Sequence, residues 1–409
     1  MKAVINKGGK ITVFQDDAKA EEWASQPGFR EATEQEITAY LENKKVERLI
    51  QEAQATIELS KDGVYYKSTS PGFKDGYGTS SDYIYTQLAK RGIKITRNYT
   101  GQKVAFVYHA PQSLASVESP YKILYTMFES DRIPDEWHEY LKLADKILVP
   151  STWCANVFRA AGFEVEVVPL GYNEQIYTPI QRKKRRKYTI LHYNAFNARK
   201  GFLELFQAFT KEFTVDEPVE LLLKTTSQHL PALMAAIVDE PKYRNIKVVK
   251  GEYTGDQMMG LMREADLFVF PSRGEGFGMT PLEAMATGLP VIVPNAHGIT
   301  QYFDREYMYE VKVAEKCPGI YARYKNVNVG QMVVCDVDDL RSKMRWAYEH
   351  APQARMLGNK STQLAQRYTL SRTVDLLVPY LEQGMNAPIT DKRSSTILTV
   401  KHIIGDHGN

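Results

Sequence analysis

The stretch FVFPSRGEGFGMTPLEAMATGLPVIVP, Phe268 to Pro294, decides the fold. It opens on the apolar run Leu267-Phe268-Val269-Phe270, which reads as a buried strand. Pro271 to Gly278 follows as a loop with three glycines in five positions, Gly274, Gly276 and Gly278. After Pro281 the pattern is helical: Leu282, Met285 and Ala286 share a face, and Gly288 is a stop signal. Val291-Ile292-Val293 is a second buried strand. Strand, Gly-rich loop, helix and strand make one βαβ unit, with an anion-accepting loop at the helix N-terminus.

Glu275 falls in that loop, and Glu283, eight positions on, is expected on the first helical turn. Pro281 is tolerated there because the first N–H groups of a helix lack intrahelical partners. The N–H groups around Gly278, Met279 and Thr280 can therefore meet phosphate or sugar oxygens. A carboxylate one turn further in can accept two hydrogen bonds from a vicinal diol such as a ribose. Two glutamates separated by seven residues inside EGFGMTPLEAMATGLPVI resemble the signature of retaining nucleotide-sugar glycosyltransferases of the GT-B fold, close to glycosyltransferase family 4. The resemblance implies an α/β protein of two Rossmann-like domains with a cleft between them. An ordinary Rossmann-like crossover with solvated glutamates is the bland alternative.

At 409 residues the chain has room for two cores. Its 43% hydrophobic and 25% charged residues are ordinary for a globular protein. A net charge of +3 implies no polyanion partner from the whole-chain balance. The three cysteines, Cys154, Cys317 and Cys335, lack metal-ligand spacing, and an odd, sparse count fits a reducing cytosol. The sequence shows no secretory h-region and no apolar run of membrane-spanning length, so a soluble cytoplasmic protein is expected.

Residues 1–58 fall outside the resemblance. Ala3 to Phe14 alternates about Gly8-Gly9 and reads as a β-hairpin, and 17–56 carries a helical stripe through Ile37, Leu41, Leu49 and Ile50. This extension is either packed on the first domain or a partner-binding piece. The first Rossmann-like domain, on the acceptor side, is expected over 59–172. It begins near Val64-Tyr65-Tyr66, and Ser70 to Thr79 reads as a Gly-rich loop containing Gly76 and Gly78. His109 lies just past the strand Val104–Tyr108, where open α/β sheets bind ligands. Glu129 and Asp131 follow the strand Ile123–Thr126, and Ile147-Leu148-Val149-Pro150-Ser151 and Val168-Pro169-Leu170-Gly171 also match the family's first half.

Residues 173–187 read as the linker, with six consecutive basic residues: Arg182, Lys183, Lys184, Arg185, Arg186 and Lys187. Such a run is either a solvated linker or an electrostatic seat for an anionic acceptor such as nucleic acid or a lipid headgroup. The donor-side domain is expected over 188–370. Residues 371–409 then supply a helix that, by resemblance, returns to the first domain, and a tail with a strand at Thr396–Val400.

The resemblance assigns roles residue by residue. The donor is a nucleotide diphosphate sugar, UDP-linked by family frequency. Lys200 matches the family lysine that pairs with the diphosphate. The family carries an arginine five residues earlier, where this chain has Ala195, and Arg199 is the candidate replacement. Lys224, at a strand end, is a second cation. Glu283 matches the ribose-binding glutamate, and Glu275 the one near the sugar hydroxyls. Phe277, Gly278, Met279 and Thr280 complete the donor loop, with Gly76 and Gly78 facing it. His109, Lys200 and Glu275 are the catalytic candidates. Glu129 and Asp131 either bind an acceptor hydroxyl or activate one. Asp336-Val337-Asp338 is the DxD triplet, and it lies late in the chain before a helix. No metal or other cofactor is therefore expected.

The reaction implied is retaining transfer of a hexose or pentose to a hydroxyl. A glycan, a lipid carrier, a small molecule, a protein side chain and a hydroxylated DNA base all remain open as acceptors. A nucleotide-sugar-binding protein that has lost activity is the alternative. A dehydrogenase is disfavoured, because no GxGxxG follows a strand.

Overall fold

The computed structural model describes residues 2–6, 11–14, 17–34, 36–37, 63–68, 76–183, 185–195, 197–226 and 240–388. The chain divides into two compact units, Met1–Asp62 and Gly63–Asn409.

In the smaller unit, β1 (Lys2–Asn6) pairs antiparallel with β2 (Ile11–Phe14), Ala3 opposite Val13. This is the hairpin that the alternation predicts. The helical reading of 17–56 needs correction over residues 25–31. The helix Asp17–Ala24 is short, and the Pro27-Gly28 turn releases the chain into β3 (Phe29–Glu31), on the other edge of β1. Leu41, Leu49 and Ile50 lie outside the described residues.

The larger unit holds two six-stranded parallel sheets. The first contains β4 (Val64–Ser68), β5 (Ile95–Thr96), β6 (Val104–Tyr108), β7 (Tyr121–Tyr125), β8 (Lys146–Val149) and β9 (Glu166–Val167), in the order β5-β4-β6-β7-β8-β9. Every residue of β6 is buried, because helices cover both faces of a parallel sheet. The second sheet contains β10 (Tyr188–Tyr193), β11 (Val219–Thr225), β12 (Ile246–Lys250), β13 (Leu267–Val269), β14 (Val291–Pro294) and β15 (Tyr309–Val311). Its order is β12-β11-β10-β13-β14-β15, with Ile190 opposite both Leu221 and Leu267. After β15 the chain adds an antiparallel hairpin outside both sheets, β16 (Val313–Ile320) and β17 (Asn328–Cys335).

Two local readings change. Gly76 and Gly78 belong to the helix Gly76–Lys90 rather than to a loop, and Ser80, Ser81, Ile84 and Leu88 are buried along it. The helix after the Gly-rich loop runs from Met279 to Ala286, so Glu283 lies beyond its first turn. The positive φ of Gly278, 86°, lets the chain turn into the helix before Pro281 is reached.

The basic run is not a free linker throughout. The Arg182 guanidinium donates to the carbonyls of Ala265, Met262 and Thr287 and to the Thr287 hydroxyl, at 2.6–3.2 Å. Arg185 donates to the Glu264 carbonyl at 2.7 Å, and Lys187 sits 3.7 Å from Glu220. Lys183 and Arg186 are exposed, and Lys184 is outside the described residues.

The last helix, Leu370–Asn386, lies against the first sheet. Val374, Leu377 and Leu381 are fully buried in the same core as Val104 and Ile123. Arg91 pairs with Asp375 at 2.8 Å, and Lys103 donates to the Met385 carbonyl at 2.6 Å. The expected strand Thr396–Val400 lies outside the described residues. Among the described residues no helix is long and apolar enough to cross a membrane. Leu377→Ala should lower the unfolding free energy by about 2–5 kcal/mol, the usual cost of such a core truncation. Urea denaturation followed by circular dichroism reads this, and an unchanged midpoint would show that the helix is not part of the core.

Candidate functional site

In the second sheet the strand order reverses between β10 and β13, and a crevice opens beyond their C-terminal ends. Two loops meet there. One follows β10 and carries Arg199 and Lys200; the other follows β13 and carries Glu275. They are tied backbone to backbone, the Arg273 N–H donating to the Arg199 carbonyl at 2.7 Å. Gly201, with φ 68°, permits this approach: a Cβ there would stand 1.8 Å from the Pro271 carbonyl oxygen. Below the loops, buried Glu204 holds the Arg273 guanidinium at 2.6 Å.

The crevice widens into a cleft of about 480 Å³, lined from both sheets. Glu275 is its electrostatic centre. Its Oε1 is 2.6 Å from Lys200 Nζ, 3.2 Å from Arg199 Nη1 and 2.6 Å from Ser272 Oγ. Burial pushes the Glu275 carboxyl up, but the Lys200 ammonium and the Arg199 guanidinium outweigh it and hold it at about 2. Burial also lowers Lys200, helped by neighbouring Arg199 and opposed by Glu275. Burial opposes ionisation of Arg199 too, yet Glu275 and Glu129 raise it overall. Two basic side chains and a carboxylate thus meet within 3.2 Å.

Glu283 sits in a different environment. It is buried, the Tyr193 hydroxyl donates to its Oε2, and Tyr177 bonds to it as well. Burial raises its carboxyl to about 7 against these hydrogen bonds and the attraction of Lys224. Lys224, buried at the end of β11, is itself lowered by burial. Met279 and Thr280 open the helix behind Gly278 with no side-chain cap. The Thr280 hydroxyl and the Asn194 amide nitrogen, both in cleft-lining residues, are buried without a hydrogen-bond partner among the described residues.

Arg199, Lys200, Lys224, Glu275, Phe277, Gly278, Met279, Thr280, Glu283 and Glu129 all line this one cleft. Gly76, Gly78, His109 and Asp131 are not among the described residues that line it. The Gly76–Lys90 helix reaches the cleft through Thr79, Ser80 and Tyr83 instead. His109 is bonded through Nδ1 to Ser113 Oγ, and the Asp131 carboxylate accepts the Gln331 N–H at 2.6 Å. Asp336 caps the helix Val337–Glu349 by accepting the N–H groups of Asp338 and Asp339, which accounts for that acidic triplet. Among the described residues no cluster of His, Cys, Asp and Glu could hold a metal.

Several site residues escaped the sequence reading. Tyr193 ends β10 and could have been found as a polar group at a strand terminus beside a switch point. Tyr177 carries no motif signal. Next to Tyr193, His192 is fully buried and not among the described residues that line the cleft; it donates from Nδ1 to the Val269 carbonyl at 2.8 Å, and burial lowers it to about 4. It is therefore neutral near pH 7. Arg323 enters the cleft from the β16–β17 hairpin, and nothing in its own sequence context points there.

Two parallel six-stranded sheets facing one cleft define a GT-B fold. Residues 160–377 match the family described as Family 4 Glycosyltransferase in conflict systems, and the chain belongs to that family. A protein assigned as glycosyltransferase 45 of Sulfolobus islandicus filamentous virus is 24% identical over 299 residues, covering 70% of this chain and 73% of its own. A protein assigned as glycosyltransferase ORF313 of Acidianus filamentous virus 1 is 28% identical over 182 residues, and the chain spans about half, 54%, of its length. In the crystal structure of Anabaena HepE with UDP-glucose the same fold recurs, with TM-score 0.59 at 13% identity, covering 78% of this chain and 99% of HepE.

Removing the Glu275 carboxylate would strand Arg199 and Lys200 without their shared counter-charge. Glu275→Ala should therefore destabilise the protein by roughly 3–5 kcal/mol, as breaking a buried ion pair does. Thermal and urea unfolding read this, and a loss within experimental error would mean solvent already screens the cluster.

Proposed function

We propose that the protein transfers a sugar from a UDP-linked donor to an acceptor hydroxyl, retaining the anomeric configuration. The observation that carries this reading is the convergence of Lys200, Arg199, Glu275 and Glu283 in one cleft at the switch point of the second sheet. The glycosyltransferase family of the chain supports it, and UDP-glucose in HepE supports the choice of nucleotide.

In this reading Glu283, oriented by Tyr193 and Tyr177, accepts the ribose hydroxyls. The diphosphate lies against Lys200 and the first N–H groups of the helix Met279–Ala286, where the helix dipole favours an anion. Glu275 receives donor-sugar hydroxyls. In the reaction the anomeric carbon–oxygen bond to the diphosphate breaks, and the electron pair leaves with UDP. The acceptor oxygen bonds to the anomeric carbon on the same face, and its proton passes to the departing diphosphate. Lys200 is already fixed at 2.6 Å from Glu275, so little reorganisation is needed as charge develops on the leaving group. No metal takes part in this scheme.

A second reading, donor binding without transfer, is favoured by Ala195 where the family has arginine. Release of UDP from UDP-glucose by the purified protein separates the two. A glycan, a small molecule or a lipid carrier suits the acceptor role better than DNA. Arg182 is engaged by carbonyls of the protein itself, which takes one cation of the run away from a phosphate backbone.

Lys200→Ala should lower turnover of UDP-glucose by about 100-fold or more, the usual effect of losing one such electrostatic contact. Turnover within a few-fold of wild type, with normal folding, would shift the role to Arg199 or Lys224.

The raised Glu283 carboxyl gives a pH test with a defined sign. Above about pH 7 it is ionised and accepts from both ribose hydroxyls; below, it is protonated and one oxygen becomes a donor. Uridine, which has no phosphate to titrate, should bind more weakly as pH falls from 8 to 6, a window taken as about one unit either side of that value. Glu283→Gln should remove the dependence. Calorimetry with a flat wild-type profile would refute the assignment of Glu283 to the ribose.

A further inference from the structure

The β16–β17 hairpin leaves the second domain after β15 and returns at Cys335, yet its far end is built into the first domain. Tyr324 and Val329 are buried in the core that holds Phe128, Ile133 and Trp137. The Phe128 ring lies 5.1 Å from Tyr321 and 5.8 Å from Tyr324. The backbones join as well. The Asp131 N–H donates to the Gln331 carbonyl at 3.1 Å, and Arg132 Nη2 donates to the Asn328 carbonyl at 2.7 Å. Gly330, with φ 78°, makes the approach possible: a Cβ there would stand 2.6 Å from Asp131 Oδ1. At the other end, the Val333 N–H donates to the Arg273 carbonyl at 2.9 Å, which ties the hairpin to the loop of Glu275.

Its tip carries Arg323. The guanidinium lies over the rings of Phe128, Tyr321 and Tyr324, at 5.1–5.6 Å, and reaches Glu129 Oε2 at 3.0 Å. The other Glu129 oxygen, Oε1, is 3.6 Å from Arg199 Nη2. Buried Glu129 therefore bridges two arginines of the second domain, one at the donor loop and one on the hairpin. A continuous charge row results: Lys200, Glu275, Arg199, Glu129, Arg323. Of the two acidic residues after β7, Glu129 lines the cleft, while Asp131 accepts the Gln331 N–H of the hairpin.

We propose that Arg323 is a positioning residue for Glu129, and that Glu129 so held hydrogen-bonds the acceptor hydroxyl. The hairpin is then an acceptor-selecting element that the second domain contributes to the acceptor half of the cleft. This deepens the reading of the cleft as a sugar-transfer site and rests on it. The guanidinium is a planar donor held among three rings, so it sets a direction for the carboxylate as well as neutralising it. Without Arg323 the remaining cations, Arg199 and Lys200, lie on the donor side and draw Glu129 that way. The acceptor oxygen then loses its anchor, and a misplacement of about 1 Å is costly to a group-transfer step.

The test uses the full chain with Arg323→Ala and Arg323→Lys. UDP affinity is measured by calorimetry, UDP release from UDP-glucose is measured with water as the acceptor, and the crystal structure of Arg323→Ala is determined. The alanine variant should bind UDP as tightly as wild type, release UDP at least roughly 10-fold more slowly, and show the Glu129 carboxylate turned toward Arg199. The lysine variant should recover part of the rate, because a cation is restored. Glu129 unmoved in the crystal structure overturns the proposal, whatever the turnover. So does a wild-type rate in the alanine variant, or a parallel loss of UDP binding, which would make Arg323 a general structural residue. If wild-type protein binds no UDP, the sugar-transfer reading itself fails, and the crystallographic outcome still decides whether Arg323 positions Glu129.

Discussion

One carboxylate, Glu275, sets the geometry of the cleft. Buried beside Lys200 and Arg199, it lets two largely buried cations stand next to each other. Neither cation would tolerate that burial alone, and neither loop would come so close to the other without a shared partner. The rest follows from this cluster. Gly201 lets the loops touch, Arg273 and Glu204 brace them from below, and the switch point between β10 and β13 gives them a crevice to face. Glu283 lies outside that charge row and keeps its proton more readily, so the two glutamates of one motif have opposite electrostatic characters. In the proposed reading an anionic diphosphate meets the first environment, and a neutral diol the second.

Much of this was legible in the sequence because the signals were local. Apolar runs bounded by glycine and proline marked β13, β14 and the helix between them, and periodicity marked most of the other strands. The Gly-rich loop was legible as cleft-forming because Glu275, Gly278 and Glu283 lie within one βαβ unit and line the same cleft. The errors were also local. Asp17–Ala24 was read as part of a longer helical region because its charged, Ala-rich composition continues past Pro27-Gly28, which the turn in fact interrupts. Gly76 and Gly78 were read as loop because glycine lowers helix propensity, yet the tertiary packing of Ser80, Ser81 and Ile84 overrides it.

What stayed hidden was long-range. Arg323 meets Glu129 across 194 positions of sequence, and the partnership depends on a hairpin folding over onto the other domain. The alternation of β16 and β17 is legible; the surface they cover is not. Tyr177, in a segment read as linker, reaches Glu283 only because that segment runs between the sheets. Arg182 shows the converse. A run of six basic residues suggests an exposed charged strip, while its first member is bonded to carbonyls of the second domain.

The most direct measurement is a crystal structure of the protein with UDP bound. The expected result has the ribose hydroxyls within hydrogen-bond distance of the Glu283 carboxylate and the diphosphate oxygens against Lys200 and the N-terminus of the helix Met279–Ala286. UDP seated elsewhere, or a ribose turned away from Glu283 with the diphosphate remote from Lys200, would contradict the assignment of this cleft to a nucleotide-sugar donor.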